Sequence, residues 1–143
     1  MGEVLTVLPF QNTLSTFQIS GAGLMAALEN GVSQVEEAAG RFPQVAGMKF
    51  TWDANKTPDE GRIVEAMVMQ DGDWVALDAG AEYSVVTNNY VRGGGDGFKM
   101  FSTDGKNAYD YGPSLEDVLA DYLASNAPYK PYLDGRIKSI PAK

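Results

Sequence analysis

Histidine and cysteine are both missing from this 143-residue chain. Imidazole and thiolate are the usual ligands of catalytic zinc and the usual bases and nucleophiles near neutral pH. Without them a hydrolytic site would need carboxylates alone, and no pair of carboxylates is spaced to suggest one. Disulfides and Cys-based zinc sites are excluded on the same count. Positive charge is also scarce, with 11 Lys and Arg against 19 Asp and Glu and a net charge of −8. No Lys/Arg cluster offsets this locally, so no nucleic-acid polymer is an expected partner. A small nucleotide escapes that objection, because one pocket can hold it by base and ribose. No apolar run approaches the roughly 20 residues of a bilayer span, so no membrane span is expected. Glu3 stands where a signal peptide would be basic, so a signal peptide is not expected in the chain either.

What is present describes an ordinary folded domain, 44% hydrophobic and 21% charged. Residues 1–143 are read as one domain. The β-branched run 4–8 reads as a buried strand that Pro9 stops, and 14–19 as a second strand. Leu24, Leu28, Val32 and Val35 recur at helical spacing, predicting a helix over 22–38. Alternation predicts strands over 48–52 and 63–69, with Trp52 on a sheet face. Asp71-Gly72-Asp73 turns the second of these into a strand over 74–77 that carries Trp74. A strand over 83–87 runs into Asn88-Asn89-Tyr90, and glycine-rich 93–97 is expected to be irregular. Ser114 caps a helix reaching about 124, with Leu115, Val118, Leu119 and Tyr122 as its buried face. The proline-containing tail from Asn126 reads as an irregular arm. Strands and helices without strict alternation give an α+β class, a mixed β-sheet with packed helices.

Two stretches carry chemistry. One is Leu5-Thr6-Val7-Leu8-Pro9-Phe10-Gln11-Asn12. The other is Thr87-Asn88-Asn89-Tyr90-Val91-Arg92-Gly93-Gly94-Gly95-Asp96-Gly97-Phe98. Each puts an aromatic ring just past a strand end, and two such rings can sandwich a flat heterocycle at about 1–3 kcal/mol per stacking contact. Glycine lets backbone approach a ligand, and an ionised Asp96 can accept from two adjacent hydroxyls.

Together these stretches, with the closing Asp134-Gly135-Arg136-Ile137, resemble the C-terminal substrate-binding domain of the 5'-nucleotidase family, over nearly the whole chain. The resemblance implies that Phe10 and Tyr90 clamp the base and Asp96 holds the ribose hydroxyls. Tyr90 stands where Phe is more usual, so its hydroxyl needs a partner. Asn12, Asn89, Gly94 and Gly95 complete the implied substrate-binding set, with no catalytic or metal-binding residue. The family's Gly-Gly-x-Arg segment and its histidine-bearing metal motifs have no counterpart here. An N-terminally truncated domain is therefore expected, lacking the metallophosphoesterase domain that carries two divalent metal ions. The resemblance further implies a nucleotide or nucleoside ligand, a periplasmic or extracellular setting, and an uncovered apolar edge on which the piece can self-associate.

Plainer readings stand beside these. A lone Phe10 would more often be core, and Asp96 simple turn chemistry. Residues 93–97 lack the Lys-Ser/Thr of a P-loop. Arg92 reads as solvent-facing, and Phe98, Met100 and Phe101 as packing behind the loop. Asn12, Asn88 and Asn89 either orient a base or close turns. Asp53, Asp59, Glu60, Asp71 and Asp73 form a solvated face. Against the recognition domain of a phosphohydrolase stands a free-standing nucleotide-binding or interaction module without a hydrolase partner. With neither histidine nor cysteine, the chain alone is expected to release no phosphate from AMP, whatever divalent metal is supplied. Chelator-sensitive turnover that survives repurification would overturn this.

Overall fold

The computed structural model describes residues 2–143. Its first element corrects the sequence reading: residues 4–8 do not form a strand. Helix α1 (Gly2–Val7) is closed by Leu8 N–H donating to the Val4 carbonyl at 2.9 Å, and the Thr6 hydroxyl donates to the Gly2 carbonyl at 3.0 Å. Only Val4 is buried, while Leu5 and Val7 face outward. A β-branched run becomes a strand only beside a strand partner. Here α1 meets the later helix α5 (Leu115–Ser125) instead.

Two sheets follow. Strand β1 (Leu14–Ser20) pairs antiparallel with β5 (Glu82–Asn88), from Leu14 opposite Asn88 to Ser20 opposite Glu82. Its other edge takes β6 (Lys106–Tyr109), giving a three-stranded sheet in the order β5-β1-β6. The second sheet is built from β2 (Met48–Asp53), β3 (Ile63–Gln70) and β4 (Asp73–Ala76), all antiparallel. Gln70 faces Asp73 across the two-residue loop Asp71-Gly72, both at positive φ (51° and 94°), the hairpin turn that Asp-Gly favours. Strand β7 (Ile137–Ile140) lies parallel to β2 and closes the order β4-β3-β2-β7. The tail is thus not wholly irregular. Four residues of low hydrophobic contrast become a strand because β2 offers a free edge.

Helix α2 (Gly21–Val32) joins the sheets. Ser20 caps it, its hydroxyl accepting from Gly23 N–H at 3.2 Å. Leu24 and Ala27 pack with Phe17, Ile19, Phe98 and Phe101, and Leu28 and Val32 pack with Phe50 and Ala66. The helix ends six residues earlier than periodicity predicts. Ser33 N–H and hydroxyl both turn back to the Asn30 carbonyl, at 3.2 and 2.7 Å, and a separate 3-10 turn (Val35–Glu37) follows. Val35 still packs against the second core. In α5, Ser114 is the N-cap, accepting from Asp117 N–H at 3.2 Å, but no residue of the helix is buried and Tyr122 is half exposed against Tyr129. Trp52 meets Phe42 on the inner sheet face, while Trp74 lies under the Lys49 ammonium on the outer one. Among the described residues no helix is long and apolar enough to cross a membrane.

Two guanidinium groups tie the elements. Arg62, buried to 4% exposure, donates to the Val32 carbonyl at 2.7 Å, to Lys56 O at 2.8 Å and to the Glu36 carboxylate. Glu29 holds the entry to β3, accepting from Arg62 N–H (2.7 Å) and Ile63 N–H (2.9 Å). Arg92 is not solvent-facing, as the sequence suggested. It forks onto Asp110, with Nε to Oδ1 at 2.6 Å, and both side chains are about three-quarters covered.

Arg62→Met keeps the apolar stem and strips the donors, so urea unfolding should show a loss of about 1–3 kcal/mol. Glu36→Gln, at an exposed position, should lose much less. The Arg92 guanidinium holds the Asp110 carboxyl below the usual carboxylate range. A depressed folded pKa adds stability above the unfolded value, about 3.9 for Asp, and loses it as pH falls through the folded one. Asp110→Asn should therefore be less stable than the parent at pH 7 and converge with it in acid. Parallel stability curves from pH 7 to pH 2 would contradict this.

Candidate functional site

The antiparallel register of β1 and β5 brings two loops to one end of the small sheet. The chain enters β1 from Phe10, Gln11 and Asn12, and leaves β5 at Asn88. Thr13 N–H donates to the Asn89 side-chain oxygen and Asn89 N–H donates to the Thr13 carbonyl, both at 3.0 Å. This double bond pair fixes the two arms against each other.

Asn88 then caps a single helical turn, α3 (Asn89–Arg92), accepting from Val91 N–H at 2.8 Å. The sequence reading runs the 83–87 strand into Asn88-Asn89-Tyr90 without a helical turn there, for which Asn88 at an N-cap position was the available signal. The glycine-rich stretch is irregular apart from one 3-10 turn (Gly95–Gly97), with Gly94, Asp96 and Gly97 at φ of 98°, 53° and 84°. Phe98 and Phe101, both buried, stack at 5.3 Å behind it and anchor it to the core through the short helix α4 (Lys99–Thr103).

On this framework Tyr90 finds the partner its hydroxyl needs. It donates to Asp96 Oδ1 at 3.2 Å, and its ring lies over Gly95, where an added Cβ would come within 2.4 Å of the ring. Tyr90, Gly95 and Asp96 are therefore one packed unit. Gly94 is required by its φ and by the Ser102 hydroxyl, 3.1 Å from where its Cβ would lie. Asn89 commits its side-chain oxygen to Thr13 and keeps its NH2 group for other partners. The Asn12 carbonyl accepts from Leu115 N–H at 3.0 Å, so Asn12 closes the loop onto α5.

Both candidate rings are exposed, Phe10 at 80% and Tyr90 at 53%. A core role for Phe10 is ruled out. Both rings project from the same end of the sheet, with no ring–ring contact between them among the described residues. A groove of about 910 Å³ opens on the side of Asp96, lined also by residues 40–48, strand β5 and Leu24, Ala27 and Leu28 of α2. Asp96 lines the groove, whereas neither ring does. Of the acidic residues in the polar loops, Asp53 accepts from Asn55 N–H and Glu60 from Thr57 N–H, so both serve turns. Among the described residues no group of three or more Asp or Glu side chains is placed to hold a metal ion.

Comparison with known proteins agrees on one family. The model of the 5'-nucleotidase C-terminal domain matches residues 1–103. The trifunctional nucleotide phosphoesterase protein YfkN of Bacillus subtilis is 38% identical over 142 residues, covering 98% of this chain and 10% of that protein. A 5'-nucleotidase-related protein of Glossina morsitans morsitans is 34% identical over 143 residues, covering 96% of this chain and 25% of its own length. The crystal structure of a 5'-nucleotidase precursor from Thermus thermophilus superposes with a TM-score of 0.93 at 39% identity, over 99% of this chain and 28% of that one. The chain thus spans between a tenth and just over a quarter of these three proteins. Sequence, family model and fold coincide over the elements that carry Phe10, Tyr90 and Asp96, and the chain belongs to the 5'-nucleotidase family, as its C-terminal domain.

Proposed function

We propose that this domain recognises a nucleotide by its base and ribose and presents it to a separate metal-dependent phosphohydrolase domain. In this reading Phe10 and Tyr90 stack on the two faces of the base. Asp96 accepts from the ribose hydroxyls, and Gly94 and Gly95 let the backbone come close to the sugar. Asn12 and the free amide NH2 of Asn89 orient the base edge. The observation that carries the reading is the Tyr90–Gly95–Asp96 unit. It couples an exposed aromatic face to a carboxylate at hydrogen-bond distance and is fixed beside the Phe10 loop through Thr13 and Asn89.

The chemistry divides accordingly. Two divalent metal ions on the partner domain would supply the activated water that attacks phosphorus. The residues of this chain bind, orient and shield the nucleoside end, and that positioning is itself a large part of catalysis. The reading includes a periplasmic or extracellular setting, as the family resemblance implies.

Adenosine titrated into the chain should shift resonances around Phe10, Tyr90 and Asp96, whereas ribose 5-phosphate should scarcely bind. Phe10→Ala or Tyr90→Ala forfeits a stacking face and should weaken adenosine binding by about tenfold or more. Tyr90→Phe keeps the face and should bind nearly as well. Gly95→Ala displaces the ring and should resemble Tyr90→Ala while the fold persists. Asp96→Asn should hurt adenosine more than 2',3'-dideoxyadenosine. Shifts clustered away from these residues, or ring variants that bind adenosine as the parent does, would refute the clamp.

A further inference from the structure

Asp96 is held in a conformation its own turn does little to enforce. Its φ of 53° is left-handed, and Gly94 and Gly97 on either side of the turn are also at positive φ, so the local chain has several alternatives open to it. What holds it comes from 66 residues away. Asn30, near the end of α2, donates from Nδ2 to the Asp96 carbonyl at 3.1 Å. The opposite atom of that amide, Oδ1, accepts from Arg41 Nη1 at 3.3 Å. A guanidinium only donates, so Arg41 decides which way the amide faces and keeps its NH2 group toward Asp96. The turn is seated directly on this pair. A Cβ on Gly97 would stand 2.6 Å from Asn30 Oδ1 and 3.2 Å from Arg41 Nη1.

We infer that Asn30, oriented by Arg41, is a positioning residue for recognition of the ribose hydroxyls. Asn30 fixes the peptide from which the Asp96 side chain springs, and the Tyr90 hydroxyl fixes the carboxylate at its other end. Main chain and side chain of Asp96 are thereby held by two different elements. Without the Asn30 donor, the carboxylate keeps one 3.2 Å tether to an exposed ring, and its aim at a vicinal diol is lost. The inference rests on the reading that Asp96 meets those hydroxyls.

The test reads one ratio, the Kd of 2',3'-dideoxyadenosine over that of adenosine, by chemical-shift titration of the 143-residue chain. Asn30→Asp removes the donor yet keeps an acceptor for Arg41, and Asn30→Ala removes both. Each should lower the ratio about threefold to tenfold, the effect of one lost or misaimed hydrogen bond. Dideoxyadenosine affinity should stay within about twofold of the parent, with shifts at Phe10 and Tyr90 unchanged. Added to Asp96→Asn, Asn30→Ala should cause no further loss of ratio. Arg41→Met, which frees the amide without touching it, should give a smaller drop and serves if the Asn30 variants fold poorly. If Asp96→Asn loses the ratio while the Asn30 and Arg41 variants keep it, the positioning role is overturned and the ribose reading stands. Equal weakening of both nucleosides would mark a merely structural asparagine and also overturn it. A ratio that Asp96→Asn leaves unchanged removes the ribose reading and this inference together.

Discussion

One stripe of helix α2 does the work of a core for both sheets. Leu24 and Ala27 close over Phe17 and Ile19 of the small sheet, and one turn later Leu28 and Val32 close over Phe50 and Ala66 of the large one. Phe98 and Phe101 complete the cover of the small sheet, but α2 is the element whose buried residues enter both clusters, and a half-buried sheet face needs such a layer. The polar residues at the end of the helix repeat the division. Glu29 takes two backbone N–H groups at the entry to β3 of the large sheet, and its neighbour Asn30 reaches the glycine loop beyond the small one. Successive helical side chains point about 100° apart, so two adjacent polar residues can serve opposite sides of the molecule.

The position of the candidate site follows from that scaffold. Antiparallel pairing of β1 with β5 puts the start of one strand beside the end of the other, and Thr13 with Asn89 extends the pairing by one step after the ladder has stopped. Beyond it, the Arg92–Asp110 ion pair fastens the α3 turn to the residue after β6. Phe98 and Phe101 fasten the far side of the glycine loop. The loop is therefore anchored at both ends. Its middle is shaped by the ring over Gly95, which leaves one aromatic face and one carboxylate exposed side by side.

The sequence disclosed features whose cause is local and concealed those whose cause lies elsewhere in the chain. The Asp-Gly hairpin, the Ser114 cap and the alternation of β2 depend on neighbours within a few residues, and each is where its pattern implies. Residues 4–8 looked like a strand because Val and Leu fit one, but only a partner strand makes that preference decisive. Strand β7 shows the converse, an unremarkable segment recruited by a free edge. Arg92 looked like a surface charge because Asp110 lies 18 residues away. In the site, the sequence displayed the rings, the carboxylate and the glycines as chemical types. It gave no sign of Asn30, which is an ordinary polar residue in a helical pattern until the Asp96 peptide is seen against it.

The tyrosine at position 90 changes how such a site is prepared. A phenylalanine there would offer the same stacking face and leave the Asp96 carboxylate to be ordered by the ligand itself. The Tyr90 hydroxyl instead occupies one lone pair of Oδ1 before any ligand arrives. A carboxylate has about four acceptor positions, so this bond leaves Oδ2 and the second lone pair of Oδ1 available to two adjacent hydroxyls. In the proposed reading the gain is entropic: the side-chain rotamer is already selected, and ligand binding need not immobilise it. Both Tyr90 and Asp96 are exposed, so water competes for the bond and its worth in the free protein is modest. A base stacked on the ring would exclude that water from one side and strengthen the bond when the carboxylate is in use. Base and ribose recognition would then support each other through the single oxygen they share.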